Sequence, residues 1–496
     1  MDALANYQRL VRDIVALESA EALLSYDQQT AMPKNGIEAR SEVAGKLATL
    51  VFDAMTSNEL ADAIDALEAQ SGLAPEVEAS LRRVSKEHRR MRSIPAEVYK
   101  AFATDRARGQ AAWEEARAED DFGAFQPYLE RMVGYAKQFA DCYGYEEAPY
   151  DALLEIYESG MTSRQLDGII QPLREQLVPF IRELIEQGQA PDRAALSGEF
   201  PIEAQRELSL LALRQIGYDF DSGRLDEAVH PFTSGIGAGD VRLTTRFRET
   251  DLFSGLFGTL HEGGHALYEQ GVPTTMHPLR LSGGSSFGIH ESQSRMYENQ
   301  LGRSLSFWRH FHPELSNAFP QFKAVDTEAL YRAINTVTPS FIRVEADEVT
   351  YNLHIMLRYE LETELMTDKL AVKDLPERWN TAMENYLGVR PASNRDGVLQ
   401  DVHWSVGYFG YFPTYMLGNL YCAQLFATLR KALPNLDEQI TSGQFAPLLE
   451  WLRSNVHQQG AAVEPVELIQ QVTGEAPNSQ YFVDYVRTKY ADIYQL

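Results

Sequence analysis

Apolar residues recur at three- and four-residue intervals through most of this chain, and the breaks between such stretches are short. This constrains the fold more than any other feature, because a stripe at that spacing covers one face of an α-helix. Near the start, "NYQRLVRDIVALESAEALLSYDQQ" puts Leu10, Ile14, Val15 and Leu17 on one stripe. Comparable periodicity runs through 37–71, 75–90, 96–118, 122–144, 163–188 and 202–216. It resumes over 253–270, 286–301, 305–317, 327–336, 342–366, 376–387, 412–432, 446–458 and 464–472. The breakers, among them "AMPKNG", "SGLAP", "SIP", "EQGQAPD" and "RPASNRDG", are Pro/Gly punctuation rather than linkers. At ~150 residues per domain, 496 residues leave room for three domains. No linker, internal repeat or low-complexity tract divides them, so a single mostly helical unit over 1–496 is expected.

One region departs from the helical period. "VHPFTSGIGAGDVRLTTRFRETD", residues 229–251, is rich in Gly and Thr. Within it Val241, Leu243, Thr245 and Phe247 alternate with polar neighbours, which is a strand signal. The fold class expected is therefore mainly α, with a small hairpin or short sheet before residue 253.

Charge and cysteine content narrow the function. A formal net charge of -26 argues against non-specific binding to nucleic acid or anionic membranes, and any anionic ligand needs a local cluster of cations. Cys142 and Cys422 are the two cysteines, far apart, which fits a reducing compartment rather than a disulfide scaffold. The amphipathic, acid-containing start is unlike a signal peptide, and no run of about 18 uncharged apolar residues offers a membrane span. The cytosol is the expected setting.

The segment "FGTLHEGGHALYEQGV", residues 257–272, carries the chemistry. His261 and His265 are four apart, so on a helix they share a face. Two imidazoles so placed can grip one metal ion, and Glu262 beside them can take a proton from bound water. Zinc suits neutral imidazole and carboxylate ligands and lowers the pKa of bound water to about 7. Gly263 and Gly264 between the histidines each cost a helix interior ~1 kcal/mol, so a close approach by substrate or by a neighbouring element is expected there.

Two histidines need a third ligand. Glu269 lies about 12 Å along the same helix from His261, too far to converge. His277, in the loop "VPTTMHP", is one candidate. The better one is Glu291 in "FGIHESQSRMYENQ", read as a second helix brought back across the first. The competing reading of Glu291 is an ordinary ion pair with Arg295, four residues on.

Several separated motifs, in one order, resemble those of the thermostable (Taq-type) metallocarboxypeptidases. They are "HPF" at 230–232, "DVRLT" at 240–244, "HEGGH", "HESQ" at 290–293, "IRVEAD" at 342–347 and "GVLQDVHW" at 397–404. The likeness extends from "SYDQQTAMPKNG" to "GYFGYFPTYMLGN", with Tyr26 where the family usually has Trp. The resemblance implies ligation of one divalent ion by His261, His265 and Glu291, zinc first and cobalt as an alternative, with Glu262 as catalytic base. It also implies a helical fold with a deep cleft, a homodimer, and broad removal of C-terminal residues from peptides, with difficulty around proline.

An exopeptidase acting at a C-terminus needs a cation for the free carboxylate, preferably a forked guanidinium. The motif segments carry Arg242, Arg246, Arg295, Arg343 and Arg395, and Arg343 is the first choice; its competing reading is an ion pair with Asp347. His403, Tyr408, Tyr411 and Tyr415 are candidate donors to the tetrahedral oxyanion, with His230 a weaker one. Asp347 and Asp401 are candidate orienters of His or Arg. His354 reads as a satisfied core histidine. The alternatives are a metallo-oligoendopeptidase or dipeptidase on a similar scaffold, or a helical binding protein without catalysis.

Overall fold

The computed structural model describes residues 2–496. Four helices open the chain: α1 (Ala3–Thr30), α2 (Ile37–Thr56), α3 (Asn58–Glu68) and α4 (Pro75–Ser93). The periodicity over 37–71 splits at Ser57, whose hydroxyl accepts the Leu60 N–H at 3.2 Å and starts a new helix. Helix α1 buries Tyr7, Val11, Ile14 and Val15, so its inward stripe is rotated from the expected one; Leu10 and Leu17 stay partly exposed. These side chains join Leu60, Ile64, Leu67 and Val84 in a small core of their own.

The main core begins with α5 (Ala96–Glu119), α6 (Phe122–Tyr143), α7 (Pro149–Leu154), α8 (Ser163–Gln187) and α9 (Ile202–Ile216). A three-stranded sheet follows: β1 (Leu225–Glu227), β2 (Thr233–Gly237) and β3 (Asp240–Thr245), in the order β1-β3-β2. β2 and β3 form the expected hairpin, with Thr233 opposite Leu243, while β1 adds a parallel strand not foreseen. Val241, Leu243 and Thr245 are buried as their alternation requires.

Then come α10 (Leu252–Gly271), α11 (Phe287–Arg295) with a π-helical turn over Met296–Leu301, α12 (Leu305–Ala318), α13 (Thr327–Ile334) and α14 (Tyr351–Met366). The expected helix over 342–366 is α-helical only from Tyr351, with a single 3-10 turn at Arg343–Glu345 before it. Asp347 takes the backbone N–H groups of Val349 and Thr350 at 3.0 Å, and these bonds compete with a continuous helix. The chain closes with α15 (Leu375–Leu387), α16 (Pro413–Ala432), α17 (Leu436–Thr441), α18 (Ala446–Asn455), α19 (Pro465–Thr473) and α20 (Gln480–Tyr494). Helix α20 escaped the sequence reading: its tyrosines and valines favour strand by propensity, yet Phe482, Val483, Val486 and Tyr490 line one buried helical face.

The N-terminal helices lie over the main body and are pinned to it by polar contacts. Arg280 reaches between Glu18 and Glu87, with Nε 2.9 Å from Glu18 Oε2. Ser80 Oγ donates to the Leu279 carbonyl at 2.7 Å. Tyr26, at the position of the family's Trp, donates to Asp226 Oδ2 at 2.6 Å and packs edge-on against Phe232. A cavity of about 620 Å³ lies between the layers, bordered by residues of α4, β2, α10 and α11. None of the described helices is long and apolar enough to cross a membrane.

Candidate metal centre

Helix α10 starts at Asp251, whose carboxylate accepts the Ser254 N–H at 3.0 Å, and runs buried past the histidines. Its paired glycines are explained by packing. A methyl on Gly264 would lie 2.7 Å from Ser294 Cα and collide with the Gln293 carbonyl; one on Gly263 would lie 2.8 Å from Leu213 Cδ2. The close neighbours are α11 and α9, not substrate. On the far side of α11, Gly418 of α16 leaves room for Glu291, whose Cβ a methyl at 418 would meet at 2.6 Å.

Gripped between α10 and α16, α11 projects Glu291 toward the histidine pair. One ligand atom from each of His261, His265 and Glu291 falls within 4.8 Å of the others. Glu291 Oε2 is 3.4 Å from His265 Nε2 and 3.6 Å from His261 Nε2. The ion pair with Arg295 also exists, but on the other oxygen: Arg295 Nε donates to Oε1 at 2.7 Å. Arg295 holds Glu291 well below the usual carboxylate range against the opposing effect of burial. The two readings of Glu291 are thus compatible. His277 lies outside this cluster, against a different cavity, near Ser282.

The remaining ring nitrogens are committed in a way that frees both Nε2 atoms. His261 Nδ1 is 2.8 Å from Glu298 Oε2, so this nitrogen carries the proton. Burial would raise the Glu298 pKa, but Arg295 and the His261 hydrogen bond bring it down to about 2. His290 Nε2 is 2.9 Å from Glu269 Oε1, and its Nδ1 is 2.6 Å from His265 Nδ1. With His290 donating to Glu269, its Nδ1 accepts from His265 Nδ1–H. That assignment leaves the His265 Nε2 lone pair facing Glu291. Two like-oriented imidazole lone pairs and one carboxylate oxygen make a donor set that fits a divalent ion with an open position.

Glu262 lines the same cavity. The Thr233 hydroxyl of β2 lies 2.7 Å from its Oε2 and fixes it, leaving Oε1 for chemistry. Burial raises its pKa above that of an ordinary carboxylate, with Glu291 adding to the effect.

The other expected site residues are divided. Tyr411 and Tyr415 line the cavity. His403 sits behind them, Nε2 3.3 Å from the Tyr415 hydroxyl oxygen, and burial brings its pKa down to about 3, keeping it neutral. Tyr408 is exposed beside Arg106 and does not border the cavity; neither does His230, although its neighbours Pro231, Phe232 and Thr233 do. Arg242 is spent on Asp240 through two 2.7 Å bonds.

Arg343 also has a place other than the one expected. Its Nε and Nη2 donate to Asp401 Oδ1 at 3.0 and 2.9 Å, and Nη1 to the Tyr351 hydroxyl at 3.1 Å. It stands behind the Tyr415 ring, 4.9 Å from its centroid, and does not line the cavity. Asp347 is not its partner; its carboxylate accepts the N–H groups of Thr338, Val349 and Thr350 in the segment leading into α14. Asp401 instead bridges Arg343 and Arg358, whose Nε donates to Oδ2 at 2.7 Å. Buried His354 lacks a hydrogen-bond partner on either ring nitrogen among the described residues, so it is in the core but not satisfied there. Sequence reasoning did not single out Thr233, His290 or Glu298, and it weighed Glu269 only as a metal ligand, not as the partner of His290; His290 stands in a quoted motif, and Glu298 lies on the helical face of Glu291 and Arg295.

A centre of this kind, two histidines and a glutamate sunk between helical layers with a second glutamate held beside them by one oxygen, is that of a helical metallopeptidase. The chain belongs to the carboxypeptidase Taq (M32) metallopeptidase family, which it matches over residues 6–490. Carboxypeptidase 1 of Bacillus subtilis is 42% identical over 489 residues, 98% of each chain. Thermostable carboxypeptidase 1 of Thermus thermophilus is 42% identical over 506 residues, 99% of each. The solved M32 carboxypeptidase of Deinococcus radiodurans R1 superposes with a TM-score of 0.97 at 38% identity, covering 100% of both chains. The mainly α fold and the reading as a metallocarboxypeptidase stand with these relatives; the endopeptidase, dipeptidase and non-catalytic readings gain nothing from them.

Proposed function

We propose that His261, His265 and Glu291 hold one divalent ion per chain, that this ion is zinc, and that Glu262 is the general base for release of C-terminal residues from peptides. The observation that carries this reading is the pair of freed Nε2 atoms converging with Glu291 Oε2. The ion supplies a Lewis acid for the scissile carbonyl and makes water easier to deprotonate. Glu262, held at one oxygen by Thr233, takes the proton of the attacking water and passes it to the leaving amine. Tyr411 and Tyr415 line the cavity and supply hydroxyls as donors to the developing oxyanion. Burial holds the Tyr411 pKa up at about 12, so it keeps its proton at neutral pH. Arg343, Asp401 and His403 act one layer back, positioning Tyr415.

Imidazole and carboxylate ligands favour zinc and also accept cobalt. A cytosolic homodimer is the family-based part of the reading; two unpaired cysteines suit a reducing compartment. Metal analysis of Glu291→Ala tests the ligand set. Occupancy should fall as it does in His261→Ala; full occupancy in Glu291→Ala would remove that residue from the set.

A further inference from the structure

Helix α4 sends four cations, Arg82, Arg83, Lys86 and Arg90, to the wall of the metal cavity. They differ in how far they are committed. Lys86 pairs with Glu155 and donates to Ser159 Oγ at 2.7 Å. Arg82 faces Glu464 at 3.9 Å and donates to the Ala462 carbonyl at 2.9 Å. Arg82, Lys86 and Arg90 also border a neighbouring cavity next to Tyr143, whereas Arg83 borders only the metal cavity of the two. Arg83 has one hydrogen bond among the described residues, from Nη1 to the Gly284 carbonyl at 3.3 Å, and no carboxylate in ion-pair contact.

The carboxylates nearby are already engaged. Glu18 and Glu87 hold Arg280, Glu269 accepts from His290, and Glu291 accepts from Arg295. Burial first, and then the like charge of Arg280, lower the Arg83 pKa, against the longer-range pull of Glu87, Glu18 and Glu464. A half-buried guanidinium on the cleft wall with one backbone contact and no carboxylate in direct contact keeps most of its fork available to an anion with a flat, two-oxygen face.

We propose that Arg83 binds a carboxylate of the peptide substrate from the N-terminal wall of the cleft. Its Nη1 already spans to Gly284, which lies just before α11 on the opposite wall, so the bound carboxylate would be held where the two layers meet. The terminal carboxylate and an acidic side chain near the end share this chemistry. The inference rests on the reading of this cavity as the substrate cleft.

The test is steady-state hydrolysis by metal-loaded Arg83→Gln, with metal content and thermal unfolding measured alongside. Three matched peptides separate the sources: a neutral peptide with a free C-terminus, the same peptide amidated, and a free-ended one with Asp near the end. Loss of about 30-fold or more in kcat/KM, mainly through KM, on both free-ended peptides but not on the amide assigns the terminal carboxylate. A loss confined to the Asp peptide assigns the side chain. A folded, metal-loaded Arg83→Gln within threefold of wild type on all three overturns the proposal. Should Arg83→Gln fail to fold, Arg83→Lys takes its place: it keeps the charge but loses the fork, so it should show a partial loss with the same pattern, and wild-type behaviour would overturn the proposal equally. Undiminished activity in Glu262→Gln would instead remove the cleft reading itself, whatever Arg83 does.

Discussion

Gly264 of α10 stands against the backbone of Ser294 in α11, so near that a methyl group on Gly264 would lie 2.7 Å from Ser294 Cα. The distance between these helices sets the distance between the histidines and Glu291. A helix-breaking residue is therefore retained where it costs ~1 kcal/mol of propensity, because the metal centre needs two backbones in contact.

Gly264→Ala should push α11 away. Overpacking of a tight interface costs about 1–3 kcal/mol, and the shift moves Glu291 off the histidine pair. Calorimetry and metal titration on the same sample check this: both the unfolding temperature and the metal affinity should drop. Unchanged metal affinity would separate the glycine from the site.

Glu298 fixes the tautomer and orientation of His261 through a 2.8 Å contact. Glu298→Ala should weaken metal binding by about 10–100-fold, the usual range for groups that orient a ligand. Glu298→Gln keeps an acceptor for the His261 N–H and should lose less. Competition with a chromogenic chelator reads both variants. Equal losses would show that the Glu298 charge, rather than its acceptor, is what the site uses.

Much of this was legible in the sequence, and the remainder fails for identifiable reasons. The i,i+4 histidines, the base and Glu291 are local patterns on two helices. Arg343 was misplaced because a motif says that a guanidinium is needed but not which way it faces. Only the fold brings Asp401, 58 residues away, onto it, with Gln400 accepting from the Arg343 backbone N–H at 2.9 Å. Two motifs that look like substrate-binding elements are thus bolted to each other, and they anchor the segment that carries Tyr411 and Tyr415. Helix α20 was hidden by strand-favouring residues whose burial is decided by tertiary contacts. Arg83 carries no local signal at all; only the fold shows that Glu18 and Glu87 go to Arg280 and leave it without a carboxylate in direct contact.

Glu158 offers a pH test away from the metal. It is fully buried, accepts from Tyr421 and the Gly288 N–H, and burial pushes its pKa from 4.5 to about 7. Below about pH 4.5 it is protonated in both folded and unfolded chains and imposes no penalty. Between there and pH 7 the unfolded chain ionises first, so stability falls as pH rises; above 7 the whole penalty is present, on the order of 3 kcal/mol. Glu158→Gln lacks this charge, and its unfolding temperature should gain on wild type as pH goes from 4.5 to 7. A difference that stays constant across that range would show that Glu158 does not titrate as its burial requires.

The account turns on Glu262 as a base beside an intact metal centre, and one measurement addresses it directly: turnover of Glu262→Gln at verified metal content. The account predicts one ion per chain, an unchanged unfolding temperature, and kcat reduced by about 10²–10⁴-fold or more on peptides with free C-termini. A metal-loaded Glu262→Gln protein turning over at near the wild-type rate would contradict it.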